Sequence, residues 1–217
     1  MVRTYAHRGL HDTAPENTMA AFLRAEMAGV DGIETDLRTT ADGHVVLFHD
    51  RTFAGRALTD YTYAELRQAT GLDVPLLEHV LERSWRISWN FEVKTRAAGS
   101  LAANLLRDRA PRDALISSFD HEIVEDLVEE TGLAGALLVA SLPSERWDMP
   151  LPTDMIRTMV WDWNVARPDG FGRADYVGWR NMIYGPVTAD EHRAVDILRP
   201  WGVITDHPGL MTTKTEE

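Results

Sequence analysis

The chain has 217 residues, 44% hydrophobic and 26% charged, which suits a single globular domain over residues 1–217 with a sizeable core. A formal charge of −12 argues against nucleic acid or an anionic membrane as principal partner, since both demand a basic face; an anionic substrate would need local positive charge from a metal or a few placed basic residues. There is no cysteine, so disulfides, thiolate zinc sites and cysteine nucleophiles are excluded, and no apolar run approaches the roughly 18 residues of a membrane span. The opening Met-Val-Arg-Thr-Tyr-Ala-His has no apolar leader, which makes the cytoplasm the expected compartment and leaves the oligomeric state open.

Taken in order, residues 4–6 form a short strand ending at His7-Arg8-Gly9, and a loop through Pro15-Glu16-Asn17-Thr18 leads into a helix. Asn17 or Thr18 can cap that helix, Met19, Phe22, Leu23 and Met27 form its apolar stripe, and Gly29 closes it. In residues 33–38, Ile33, Thr35 and Leu37 alternate with Glu34, Asp36 and Arg38, so a strand here aims both carboxylates to one face. Residues 45–48 read as a short buried strand that delivers His49 and Asp50 at its end. A capping box at Thr62 starts a helix to about Ala69, and Pro75 suits the first position of another to Arg83.

Residues 87–94 repeat the earlier signature, with Ile87, Trp89, Phe91 and Val93 alternating against Asn90, Glu92 and Lys94. A helix over 101–107, a strand over 114–119 and a helix from Asp120 to Gly132 follow, then a wholly apolar strand at 134–139 of the kind covered on both faces. Residues 155–163 are the sixth strand, 182–187 the seventh and 203–205 the eighth, with a capping box at Thr188 between the last two and loops at 143–154 and 164–181. Eight strands interleaved with helices predict a (β/α)8 TIM barrel with its site at the C-terminal strand ends. A doubly wound sheet is the alternative, disfavoured because no Gly-rich phosphate loop follows the first strand.

An exposed edge strand would show the same alternation as residues 33–38 with both acids solvated. Facing inward, the acids need a cation, since buried like charges cost several kcal/mol per ion without one. At the strand ends stand His7, Arg8, Glu34, Asp36, His49, Glu92 and Lys94. Three carboxylates supply oxygen ligands that suit one divalent cation, Mg2+ or Ca2+, and the set lacks the histidines that favour zinc. Two histidines stay free for proton transfer, while Arg8 and Lys94 bring positive charge to a phosphate, so the set reads as machinery for metal-assisted phosphoryl chemistry.

His7-Arg8-Gly9, Pro15-Glu16-Asn17-Thr18, Glu34-x-Asp36, Asp42-Gly43, His49-Asp50, Asn90-x-Glu92-x-Lys94, Ser118-Phe119 and Ile204-Thr205-Asp206-x-Pro208 resemble the motifs of the glycerophosphodiester phosphodiesterase family, in the family's order. The resemblance spans nearly the whole chain. It implies a (β/α)8 barrel that hydrolyses a small-molecule glycerophosphodiester to glycerol 3-phosphate and an alcohol. It also implies His7 and His49 as the acid and base pair, Glu34, Asp36 and Glu92 as ligands of Mg2+ or Ca2+, and Arg8, Lys94 and Phe119 as substrate contacts.

Two departures bear on specificity: the insertion after His49-Asp50 is short, and the family's seventh-strand Trp-Thr-Val-Asn aligns only with Gly185-Pro186-Val187-Thr188, leaving Trp161 or Trp163 to fill that wall. His11, His44, His79, His121, His192 and His207 read as solvated, Arg8 has a structural alternative in pairing with Glu16, and Asn17, Asp50 and Asp206 read as loop-fixing residues. The competing functions are a lyase of the phospholipase D toxin type, disfavoured by the absent cysteines, and a non-catalytic barrel that binds phosphodiesters or a partner protein. Phosphatase action on monoesters also stays open.

Overall fold

A computed structural model describes residues 1–141, 150–166 and 168–211. The strands are β1 (Arg3–His7), β2 (Gly32–Thr39), β3 (Val45–Leu47), β4 (Thr52–Phe53), β5 (Arg56–Ala57), β6 (Ser88–Val93), β7 (Leu115–Ser118), β8 (Ala134–Val139), β9 (Ile156–Asp162), β10 (Arg180–Tyr184) and β11 (Gly202–Thr205). The helices are α1 (Met19–Met27), α2 (Tyr63–Thr70), α3 (Leu77–Leu81), α4 (Arg96–Arg109), α5 (His121–Thr131), α6 (Pro168–Tyr176) and α7 (Ala189–Leu198). Eight parallel strands close in the order β1-β11-β10-β9-β8-β7-β6-β2 and back to β1, so the molecule is a (β/α)8 barrel.

Alternation sorts the strand residues into two environments. Ala6, Ile33, Leu37, Trp89, Phe91 and Val93 point outward and meet Phe22, Ala25, Ala102 and Leu106 of the helix layer. Trp89 stacks on Phe91 at 5.4 Å and receives the edge of Phe22 at 5.2 Å, a cluster in which each buried side chain contributes roughly 1.5–3 kcal/mol. Inward, Tyr5, Leu115, Leu138, Val160, Met182 and Ile204 form an apolar floor. Gly32 makes that floor possible, because a Cβ there would stand 2.4 Å from the Tyr5 ring. Above the floor the inward positions turn polar.

Caps follow the sequence where short-range chemistry decides them. Thr62 and Thr188 both form complete capping boxes, and Thr18, rather than Asn17, caps α1 by accepting from the Ala21 amide. Four boundaries differ from expectation. The helix expected from Pro75 starts at Leu77, because the Pro75 carbonyl accepts from Leu47 and holds the chain extended. Helix α4 begins five residues before the expected Leu101, since Thr95 supplies its cap. Strand β10 ends at Tyr184, where Gly185 turns into the left-handed region at φ 84°. Part of the stretch expected as loop at 164–181 is α6; residues 143–149 of the other expected loop lie outside the described residues.

The insertion after β2 is short and carries its own small core of Val46, Leu58, Tyr61, Leu66, Val74 and Leu76. Among the described residues, no helix is long and apolar enough to cross a membrane.

Candidate active site

The predicted residues converge at the C-terminal mouth. His7 ends β1 and pairs in register with Glu34 of β2, while Asp36 pairs with Glu92 of the adjacent β6. His49 arrives by a different route. After β2 the chain turns at Thr40–Gly43, where Thr40 bonds Asp42 at 2.7 Å and Gly43 takes φ 81°, and returns as β3 antiparallel to β2. The amide of Phe48 donates to the Asp36 carbonyl and Arg38 Nε donates to the His49 carbonyl at 2.6 Å, which fixes His49 level with the carboxylates.

Glu34, Asp36 and Glu92 each offer an oxygen within 4.8 Å of the others, and all three are buried. Lys94 Nζ lies 2.8 Å from Asp36 Oδ1 and also pairs with Glu92, and Arg8 Nε lies 3.2 Å from Asp36 Oδ2. Burial raises the Asp36 pKa, but Lys94 and Arg8 outweigh it and hold the carboxyl below its ordinary value. Glu34 is pushed well up by burial and by its two acidic neighbours, and Glu92 is raised by burial against the pull of Lys94. Burial alone would lower the Lys94 pKa, yet Asp36 and Glu92 hold it raised.

Two cations near three carboxylates leave the cluster short of positive charge. Glu34 Oε1 is buried without a hydrogen-bond partner, and so are Ser117 Oγ and both polar atoms of Asn90, the register neighbours of Glu92 and Glu34. Orphaned buried oxygens at this spacing are the donor set that a hard divalent cation and its waters satisfy, so the residues fit Mg2+ or Ca2+.

Both histidines are oriented by an aspartate. His7 Nδ1 lies 2.7 Å from Asp206 Oδ1, and His49 Nδ1 lies 2.8 Å from Asp50 Oδ1. An Nδ1–H donated to a carboxylate leaves the lone pair of each ring on Nε2, directed away from its aspartate. Burial favours a raised Asp206 pKa, but hydrogen bonds from His7 and His11 override it and hold the carboxyl far below the usual range.

Several residues read as bystanders are thus part of the site. Asp50 and Asp206 bond histidines rather than fixing loops, and His11 shares Asp206 at 3.0 Å. Asn17 donates from Nδ2 to Asp36 Oδ2 at 2.8 Å and accepts from Thr35 Oγ1 at 2.7 Å, so it aims a carboxylate. Of the other histidines read as solvated, His192 is fully buried between the Thr188 carbonyl and Thr205 Oγ1, and His121 bonds the Leu138 carbonyl. Arg8 makes its alternative pairing too, with both Glu16 oxygens at 3.0 Å, and shares its guanidinium with Asp36. The turn that carries it is tight: Arg8 and Asn17 both have φ 54°, and a Cβ on Gly9 would stand 2.8 Å from Ala21.

The wall opposite the carboxylates also differs from expectation. Trp161 points outward, buried, with Nε1 donating to Asn181 Oδ1 at 2.8 Å, and Trp163 packs with the outer cluster of Phe171 and Trp179. Trp161 therefore does not fill that wall. The seventh-strand aromatic is Tyr184, whose ring meets the half-exposed Phe119 edge-on at 6.1 Å. The sequence pattern extends the strand to Val187, which hides the place of Tyr184 at its end.

A barrel with clustered carboxylates and two carboxylate-oriented histidines at its mouth defines a class suited to acid–base chemistry on a phosphate ester. The model of the glycerophosphoryl diester phosphodiesterase family matches residues 7–210, and the chain belongs to that family. It is 43% identical over 97 residues to a glycerophosphodiester phosphodiesterase of Bacillus altitudinis, a match covering 38% of this chain. The chain spans 40% of the length of that relative. A glycerophosphodiester phosphodiesterase of Bacillus subtilis (strain 168) aligns at 29% identity over 96% of this chain and 85% of its own length. Among solved structures, the Oleispira antarctica phosphodiesterase in complex with the product sn-glycerol-3-phosphate superposes with a TM-score of 0.82 at 20% identity, covering 95% of this chain and 93% of the other. The glycerophosphodiester phosphodiesterase structure from Thermotoga maritima gives 0.75 at 24% identity over 97% of this chain and 96% of the other.

Proposed function

We propose that residues 1–217 act as one catalytic unit that hydrolyses glycerophosphodiesters to sn-glycerol 3-phosphate and an alcohol, with one Mg2+ or Ca2+ held by Glu34, Asp36 and Glu92. The observation that carries this reading is the meeting of three buried carboxylates, one oxygen of them unpartnered, with two histidines whose Nδ1 atoms are each engaged by an aspartate. Family membership and the product held by the Oleispira antarctica structure support it. When bound, the cation supplies charge for the anionic diester and polarises a phosphoryl oxygen.

The chain's own residues do the rest. His7 and His49 serve an in-line displacement: the Nε2 of one accepts the proton of the attacking hydroxyl, and the other, as imidazolium, gives its proton to the departing alkoxide. One proton enters the pair and one leaves it, so solvent exchange resets both rings. The attacking hydroxyl belongs to water, which gives glycerol 3-phosphate directly, or to the neighbouring glycerol 2-position, whose proximity is worth effective molarities of about 10⁵–10⁸ M when well oriented. That second route closes a cyclic phosphate as the alcohol leaves, and a water then opens the ring to glycerol 3-phosphate with the two histidines in exchanged roles. Asp206 and Asp50 hold the tautomers. Arg8 and Lys94, already drawn to the carboxylates, bring two positive charges to the phosphate, and Phe119 lines the substrate's path.

The test is to follow glycerophosphocholine by phosphorus NMR. Glycerol 3-phosphate and choline are expected from the wild type, with turnover reduced roughly 10²–10⁴-fold in His7→Ala and in His49→Ala. A cyclic phosphate as the end product would mark a lyase, and no product at all would leave only a binding barrel; either overturns the proposal.

A further inference from the structure

We infer that the side of the mouth facing the carboxylate cluster takes an alcohol bearing a positive charge, a quaternary ammonium or a primary amine, held by the Asp162 carboxylate and the rings of Tyr184 and Phe119. This rests on the glycerophosphodiesterase reading and names its substrate class.

In the closed ring, β9 lies opposite β2 and β10 lies opposite β6. Asp162 and Tyr184 are register partners at the ends of β9 and β10. Val160 and Met182, two residues earlier on the same strands, belong to the interior floor, so Asp162 and Tyr184 face inward at the mouth. An eight-stranded barrel is only wide enough for its side chains, so a diester seated at the carboxylates sets one substituent against this wall.

Asp162 has neutral partners among the described residues. Oδ2 accepts from the Tyr184 hydroxyl at 3.1 Å, while Oδ1 accepts from the Asn164 amide at 2.7 Å and its Nδ2 at 2.9 Å. These bonds fix the carboxylate in place without neutralising it. A second anion facing a phosphodiester repels it, and a neutral alcohol would leave that repulsion standing; a cationic alcohol cancels it. Beside the charge lie the right surfaces. Phe119, 46% exposed, meets Tyr184 at 79°, and such ring faces attract an ammonium group. The burial and neighbouring Asp162 that raise the Tyr184 pKa keep its hydroxyl protonated and donating.

The experiment compares kcat/KM for glycerophosphocholine and glycerophosphoglycerol, which share the diester and differ in the charge of the alcohol. The wild type should prefer the choline ester by roughly tenfold, the size of one desolvated cation–π or charge contact. In Asp162→Asn the ratio should fall towards one, mainly through a higher KM for the choline ester, and Asp162→Glu should recover part of it. A wild-type ratio near one, or a ratio unchanged in Asp162→Asn, overturns the inference. A wild-type measurement guards against a variant that does not fold: choline should inhibit glycerophosphoglycerol hydrolysis at lower concentration than its neutral isostere 3,3-dimethylbutanol, and equal inhibition overturns the assignment. Hydrolysis without preference sinks the headgroup assignment alone. No hydrolysis of either ester removes the proposed activity and the headgroup with it.

Discussion

At the end of β11 the Asp206 carboxylate accepts from His7 at 2.7 Å and from His11 at 3.0 Å, bonds that hold its pKa far below normal against the effect of burial. A carboxyl depressed on folding contributes stability that is fully present above the unfolded value of about 3.9 and is lost as pH falls through the folded value. Asp206→Asn should therefore be less stable than wild type at pH 7, and the gap should shrink below about pH 4; urea melts across pH measure it. The same change lets His7 take the wrong tautomer, so turnover should drop roughly 10²-fold or more. Glu34 presents the opposite case, a buried charge beside two others with one oxygen unpartnered. Metal-free Glu34→Gln should be more stable than metal-free wild type by roughly 1–3 kcal/mol, while the rise in melting temperature on adding cation disappears. Scanning calorimetry with and without Mg2+ or Ca2+ reads both effects, and an unchanged cation response in the variant would remove Glu34 from the ligand set.

Between elements, the hairpin from β2 to β3 is what brings His49 back beside Asp36, and Arg38 Nε bonding the His49 carbonyl at 2.6 Å is its clasp. Arg38→Met should lower turnover about tenfold, the worth of one such bond, without weakening calorimetric cation affinity, since a positive charge near the ligands has been removed. Elements of this kind explain what the sequence made legible. The alternation in β2 and β6 announced inward carboxylates because a strand's period is fixed by its backbone, and the capping boxes at Thr62 and Thr188 announced helix starts because their bonds are local. Long-range partners were hidden. Asp206 and His7 stand 199 residues apart, and nothing local to either says that the barrel closes between them. Pro168, Gly170 and Gly172 disguise α6, whose place is set by packing of Phe171 and Ala174 against the barrel wall rather than by propensity. Tyr184 is hidden for a related reason, since Gly185 ends the strand one residue after it.

For the whole molecule, the barrel sets an acidic mouth on a chain of net charge −12, and the anionic substrate must be drawn in against that field. A cation held at the proposed site would serve substrate capture and folding together. At a hundred times its dissociation constant it should add about 2.7 kcal/mol to unfolding free energy, read as a concentration-dependent rise in melting temperature. The measurement that bears most directly on this account is release of glycerol 3-phosphate from glycerophosphocholine by enzyme stripped with EDTA and freed of chelator, before and after one equivalent of Mg2+ or Ca2+. The stripped wild type should be inactive and regain turnover with one equivalent, while Glu92→Gln should not regain it; full turnover by the stripped enzyme would contradict the metal site formed by Glu34, Asp36 and Glu92.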